Sequence, residues 1–181
     1  MPRSITPAAT LALAFLTGCA AITGCAPQPE ASPTPSSRFT NEAEAYRAAE
    51  ETYRAYVDAS NRIDLKSPAT FEPVYKLETG DALASDKKTF TSYYSSGVTK
   101  TGDVILKLTA PREIDMKRRL ATLDVCQDVS QVEVTDADGN SLVSPDRSRI
   151  QSLLVQLERS DASPTAFLVS GIWHRTDGAE C

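Results

Sequence analysis

Histidine is nearly absent from this 181-residue chain, with a single copy at position 174. One imidazole leaves a Ser-His-Asp triad only His174 as its base, and no G-x-S-x-G turn occurs to carry a nucleophile. It also makes a zinc site poor, because no C-x-x-C spacing supplies paired thiolates. Basic charge is in deficit: 19 Lys and Arg stand against 24 Asp and Glu, a net charge of −5. A nucleic-acid binder needs a basic face, and the dense basic run Lys117-Arg118-Arg119 is short enough to be a solvated strand edge. What remains is 41% hydrophobic, 24% charged and 7% aromatic. That is a globular composition, with length for one domain and a tail.

The tail comes first. Arg3 precedes an uncharged apolar stretch from Ile5 to Leu16. At about a dozen residues it suits a secretory signal and is too short to span a bilayer as a helix. Leu16-Thr17-Gly18-Cys19 then resembles a lipobox. The resemblance implies a diacylglyceryl group on the Cys19 thiol and cleavage after residue 18, making 1–18 a lipoprotein signal peptide. Ile22-Thr23-Gly24-Cys25 is a second match. Cys19 is preferred for its compact apolar lead and its leucine, with Cys25 as the alternative. Plain secretion and an uncleaved anchor compete with this reading, although Pro7, Gly18, Gly24 and the lack of a cationic stop oppose the anchor. Acyl chains such as palmitate contribute about 0.8 kcal/mol per buried methylene, so two or three would hold the chain on a membrane facing the extracytoplasmic side.

Residues 26–37, APQPEASPTPSS, carry four prolines and one charge. They cannot form a core and favour extended polyproline conformations. The segment 19–38 therefore reads as a lipidated tether reaching roughly 35–40 Å. Of the four cysteines, Cys126 and Cys181 lie in the part expected to fold, residues 39–181. In an exported chain they are expected to form a disulfide; a metal pair or a reactive thiol is the alternative.

In that part, Asn41 followed by Glu44 marks a helix start. Tyr46, Ala49, Tyr53, Tyr56, Val57 and Ile63 recur at three- and four-residue spacing, predicting a helix of about 22 residues. Pro68 opens a short second helix through Phe71, Val74 and Leu77, weakened by Pro73. Leu83, Phe90 and Tyr94 set a third over about 81–96, with Gly97 as its C-terminal cap. Alternating runs follow at 104–109, 119–126, 132–134, 153–157 and 167–173, joined by short turns. Without helical crossovers they require an antiparallel sheet of five to six strands, an α+β architecture.

The order of three helices and then a long antiparallel meander resembles the cone fold of the nuclear-transport-factor-two and ketosteroid-isomerase superfamily. Val125-Cys126-Gln127-Asp128-Val129-Ser130, then Val132-Glu133-Val134 and Asp138-Gly139, is similar to a run in actinobacterial lipoproteins that carry no assigned activity. The resemblance implies the fold and transfers no catalytic residue. It also implies that a cavity between helix and sheet can exist, with Tyr46, Tyr53, Tyr94 and Trp173 as candidate lining. Enzymes of the superfamily set an acid or histidine against a tyrosine hydroxyl, and Asp124, Asp128, Tyr93, Tyr94 and His174 are the residues available for such a pair.

Two motifs mislead. Ser85-Asp86-Lys87-Lys88 and Lys100-Thr101-Gly102 match two penicillin-recognising signatures, but they lie far too close together in far too small a domain. The acidic run at 136–140 fits a hairpin better than a calcium loop, because Val134 and Pro145 would fall where oxygen ligands are required. No catalytic residue, metal or cofactor is assigned. The leading expectation is a membrane-anchored, extracytoplasmic, non-catalytic interaction module at the cell envelope, its partners the membrane and an envelope protein. A binder of a small hydrophobic ligand is the first alternative. An isomerase- or dehydratase-like enzyme is the second, and it requires a buried carboxylate within hydrogen-bond reach of a tyrosine.

Overall fold

The computed structural model describes residues 39–175, 177 and 181. The expected signal segment 1–18, the candidate lipidation residues Cys19 and Cys25 and the expected tether at 19–38 lie outside the described residues. Helix α1, Glu42–Asn61, starts where Asn41 is extended and its side chain accepts a hydrogen bond from the Glu44 N–H at 2.9 Å. The Glu44 carboxylate reaches back past Asn41 to the Thr40 N–H at 2.8 Å. This is a capping box displaced by one residue, and it satisfies amides that otherwise face no partner. Asn41→Ala should lower stability by about 1 kcal/mol, read as a fall of roughly 2–4 °C in thermal midpoint.

Pro68–Thr70 forms a single 3₁₀ turn and leads into α2, Glu72–Tyr75. Pro73 sits in the first turn of α2, where its missing N–H has no helical acceptor to lose. Helix α3, Gly80–Ser95, ends in a Schellman motif. The Val98 N–H donates to the Tyr93 carbonyl at 3.0 Å and the Gly97 N–H to Tyr94 at 3.3 Å. Gly97 holds φ +68°, the left-handed backbone that this cap requires.

Six strands follow among the described residues: β1 Thr99–Thr101, β2 Ile105–Asp115, β3 Leu120–Asp128, β4 Glu133–Thr135, β5 Ile150–Arg159 and β6 Phe167–His174. They divide four and two. The main sheet runs β2-β3-β5-β6, antiparallel throughout, while β1 and β4 form a separate ribbon. The split follows from a turn after β3, where the Asp128 carboxylate accepts the Ser130 N–H at 2.9 Å. The three-residue β4 then meets β1 at the end of α3 instead of extending the meander. Register shifts at Leu106/Leu108, Pro111/Glu113 and Gln156/Leu157 add twist, and the sheet curves around α1.

The main core lies between α1 and the sheet. Tyr53, Leu123, Val125, Val155, Leu157 and Val169 are all within 1% of full burial, each aliphatic one contributing about 1.5–3 kcal/mol. A second cluster gathers Ile63, Leu65, Phe71, Val74 and Val98 at the helical end. Tyr56 packs against both clusters. On the sheet's outer side a disulfide joins Cys126 of β3 to Cys181, with Cα atoms 5.7 Å apart. Beside it Arg112 pairs with Asp124 at 3.0 Å and Asp177 at 2.6 Å. Arg175 pairs with the same two carboxylates at 3.5 and 3.3 Å. Among the described residues no helix is long and apolar enough to cross a membrane.

Candidate functional site

The junction between α2 and α3 clamps onto the free edge of β6. The Val169 N–H donates to the Leu77 carbonyl at 2.8 Å, and the Thr79 N–H donates to the Val169 carbonyl at 2.9 Å. Glu78, opposite Val169 in this bridge, is thereby fixed inside the protein with 4% of its surface exposed. Among the described residues no donor reaches either of its carboxylate oxygens. Helix α3 brings Asp86 against it, and the Tyr56 hydroxyl on α1 donates to Asp86 Oδ2 at 3.1 Å.

Two carboxyl groups held together without a cation cannot both ionise cheaply. Burial, reinforced by the Asp86 charge, pushes Glu78 up to about 9. Burial also raises Asp86, opposed by the neighbouring Glu78 carboxyl and by the hydrogen bond from Tyr56. Burial first, then the two carboxylates, drives Tyr56 well above the ordinary phenol range. At neutral pH Glu78 therefore holds its proton, and the Tyr56 hydroxyl is the donor to Asp86 among the described residues.

A cleft opens over this pair, between α1, α3 and the end of β6. One lobe, of about 210 Å³, is walled by Glu78, Asp81, Ser85 and Asp86 against Tyr56 and Trp173. The other, of about 360 Å³, mixes apolar Val57, Val104 and Leu153 with Gln127, Gln151 and His174. Tyr56, Asp86 and Trp173 belong to both. In the second lobe the Tyr53 hydroxyl donates to Gln127 Oε1 at 3.2 Å, and Gln127 Nε2 donates to Gln151 at 3.0 Å. Trp173 is 46% exposed and lies along β6, because Gly171 offers no Cβ to block its indole.

Of the four candidate pocket residues, Tyr53 and Trp173 line the cleft. Tyr46 instead donates its hydroxyl to the Thr109 carbonyl at 2.9 Å. Tyr94 is 50% exposed on α3. That helix turns Ala82, Asp86, Phe90 and Tyr93 inward, one residue off the expected stripe of Leu83, Phe90 and Tyr94. Tyr93 packs into the helical-end cluster. Asp124 is held by two arginines on the outer side, and Asp128 by Ser130 and by Lys107 at 3.5 Å. His174 lines the second lobe from an exposed strand end. In the 136–140 run, Asp136 Oδ1 accepts the N–H groups of Asp138 and Asn140 at 2.9 and 2.8 Å, so the turn uses its own carboxylate.

Sequence reasoning missed Glu78 and Asp86. Glu78 gives no periodic signal, since its burial comes from a backbone bridge to a strand far along the chain. Asp86 does give one: it stands four residues from both Ala82 and Phe90, an acid on a buried helical stripe.

No family model and no curated protein matches the sequence. Solved structures do. The intermembrane-space region of the chloroplast protein ARC6 aligns with TM-score 0.51 and 12% identity, over 71% of this chain and 95% of that one. A candidate aromatic ring hydroxylase from Novosphingobium aromaticivorans aligns with TM-score 0.50 and 12% identity, over 76% and 97%. The likeness agrees with the α+β cone described above, three helices packed on a curved antiparallel sheet. At this identity the likeness carries the fold alone, and a cone that serves such different proteins leaves function to the residues of the cleft.

Proposed function

We propose that the chain is a membrane-anchored, extracytoplasmic binding module whose cone takes a small molecule into its cleft. The observation that carries this reading is the cleft itself. The cores on either side leave it open, aromatic and apolar walls alternate in it with converging polar groups, and buried carboxyls with raised proton affinity lie at its floor. The lipobox at Cys19, or at Cys25, and the proline-rich tether support the anchor. The Cys126–Cys181 disulfide supports an oxidising compartment.

The Tyr56–Asp86 hydrogen bond favours a second reading, an isomerase- or dehydratase-like reaction. A carboxylate beside a tyrosine hydroxyl is the pairing that a proton transfer next to a carbonyl needs.

Native mass spectrometry of the protein gently solubilised from its own membrane, with a denatured spectrum beside it, tests the proposal. The denatured mass should match a chain cut before Cys19 or Cys25 and carrying acyl chains. The native spectrum should retain a small adduct that denaturation releases. If the adduct is converted on incubation, the enzyme reading replaces simple binding. A protein-sized adduct, or none, would overturn the cleft reading in favour of a module that docks an envelope protein on its surface.

A further inference from the structure

Among the described residues the smaller lobe is lined by three carboxyl groups, Glu78, Asp81 and Asp86, and by no lysine or arginine. The remaining titratable groups around the pair are Tyr53 and Tyr56 on α1, Tyr75 on α2 and His174 at the end of β6. Lys87, next to Asp86 on α3, lies over the Tyr75 ring at 5.5 Å. Acidity alone would make a solvated face. Glu78 makes it more than that, being 4% exposed, part of the lobe's wall and without a donor among the described residues on either oxygen. A buried carboxylate needs a proton or another cation in that place.

We propose that this lobe binds the ammonium head of a primary amine, which takes the place of the Glu78 proton, while the amine's uncharged body lies in the larger lobe. The inference rests on the cleft being a ligand site and names the chemistry of that ligand. An ammonium carries three N–H donors and no acceptor, which suits a wall of carboxylates and the Ser85 hydroxyl. Tyr56 and Trp173 line the same space, and aromatic rings attract a cation through their quadrupoles. At about 210 Å³ the lobe admits a head and a few carbons. The larger lobe offers apolar surface with the amides of Gln127 and Gln151, which suits a neutral, hydrogen-bonding body. The exchange balances: the ammonium enters with its charge, the Glu78 carboxyl releases its proton to solvent, and the lobe's net charge does not change.

The chain's single tryptophan, Trp173, is the reporter. Full-length protein in detergent is titrated with n-butylammonium chloride, and in parallel with 1-butanol and with sodium chloride, following indole fluorescence. Butylammonium should bind at least tenfold more tightly than butanol, and its affinity should rise by up to tenfold per pH unit between pH 6 and 8, because one proton leaves per ligand. Glu78→Gln should weaken it at least tenfold at pH 8 while remaining folded by thermal unfolding. Equal responses to butylammonium and butanol, a pH-independent affinity, or wild-type affinity in Glu78→Gln would each overturn the proposal. A neutral or anionic adduct in the native spectrum without a butylammonium response would overturn the amine and leave the cleft reading standing. No adduct and no response would overturn both.

Discussion

Replacing Glu78 with glutamine should stabilise the domain, by about 2–3 kcal/mol at pH 7. The side chain is 4% exposed, and its proton affinity is pushed from 4.5 to about 9. Below pH 4.5 the folded and unfolded states both hold the proton, and the group contributes nothing to the difference between them. Between about 4.5 and 9 the folded state holds a proton that the unfolded state has lost, so stability falls by about 1.4 kcal/mol per pH unit. Above 9 both states have released it and the loss levels off. Glutamine keeps the shape, donates an amide N–H toward Asp86 and has no proton to lose. Urea unfolding at pH 5, 7 and 9 should show the wild type losing ground to Glu78→Gln as pH rises, with the two close together at pH 5. A constant gap across that range would mean that a cation already neutralises Glu78.

Removing the disulfide should act in the opposite direction. The bond closes a loop with a sequence separation of 55, and freeing it returns about 4 kcal/mol of chain entropy to the unfolded state. Cys181→Ser is the cleaner variant, since Cys126 is buried in β3 and its removal would also open a gap. The same change frees the segment that brings Asp177 to Arg112. That pair lies at the surface, with side chains 39% and 37% exposed, and adds little. Urea unfolding with and without reductant provides the check: reductant should destabilise the wild type by a similar amount and leave Cys181→Ser unchanged. If reductant has no effect on the wild type, the two thiols are not joined.

Helix α1 was legible because its cap and its stripe are local, written in Asn41, Glu44 and the spacing of Ala49, Tyr53 and Val57. The Cys126–Cys181 link was legible because compartment and count left few pairings. The division of the strands was not, because β4 is three residues long and its partner is set by the turn at Asp128. The site was the least legible part. Tyr53 and Trp173 announce themselves as large aromatics on periodic elements, whereas Glu78 owes its position to the two backbone hydrogen bonds that its neighbours Leu77 and Thr79 make with Val169. Asp86 lay inside Ser85-Asp86-Lys87-Lys88, a run that drew attention to its serine and lysine. A charge on a stripe otherwise meant for burial was the sign available, and it depended on placing the α3 face to within one residue.

Tyr56 is the side chain where the sheet's core and the helical-end cluster meet, and its hydroxyl ends on Asp86. A domain with two apolar clusters has a natural fault line, along which one half can loosen while the other persists. Here that line runs through the cleft floor, so whatever occupies the cleft grips both halves at their seam. A filled cleft would then make the cone melt as one body, and an empty one would let it yield first at Tyr56.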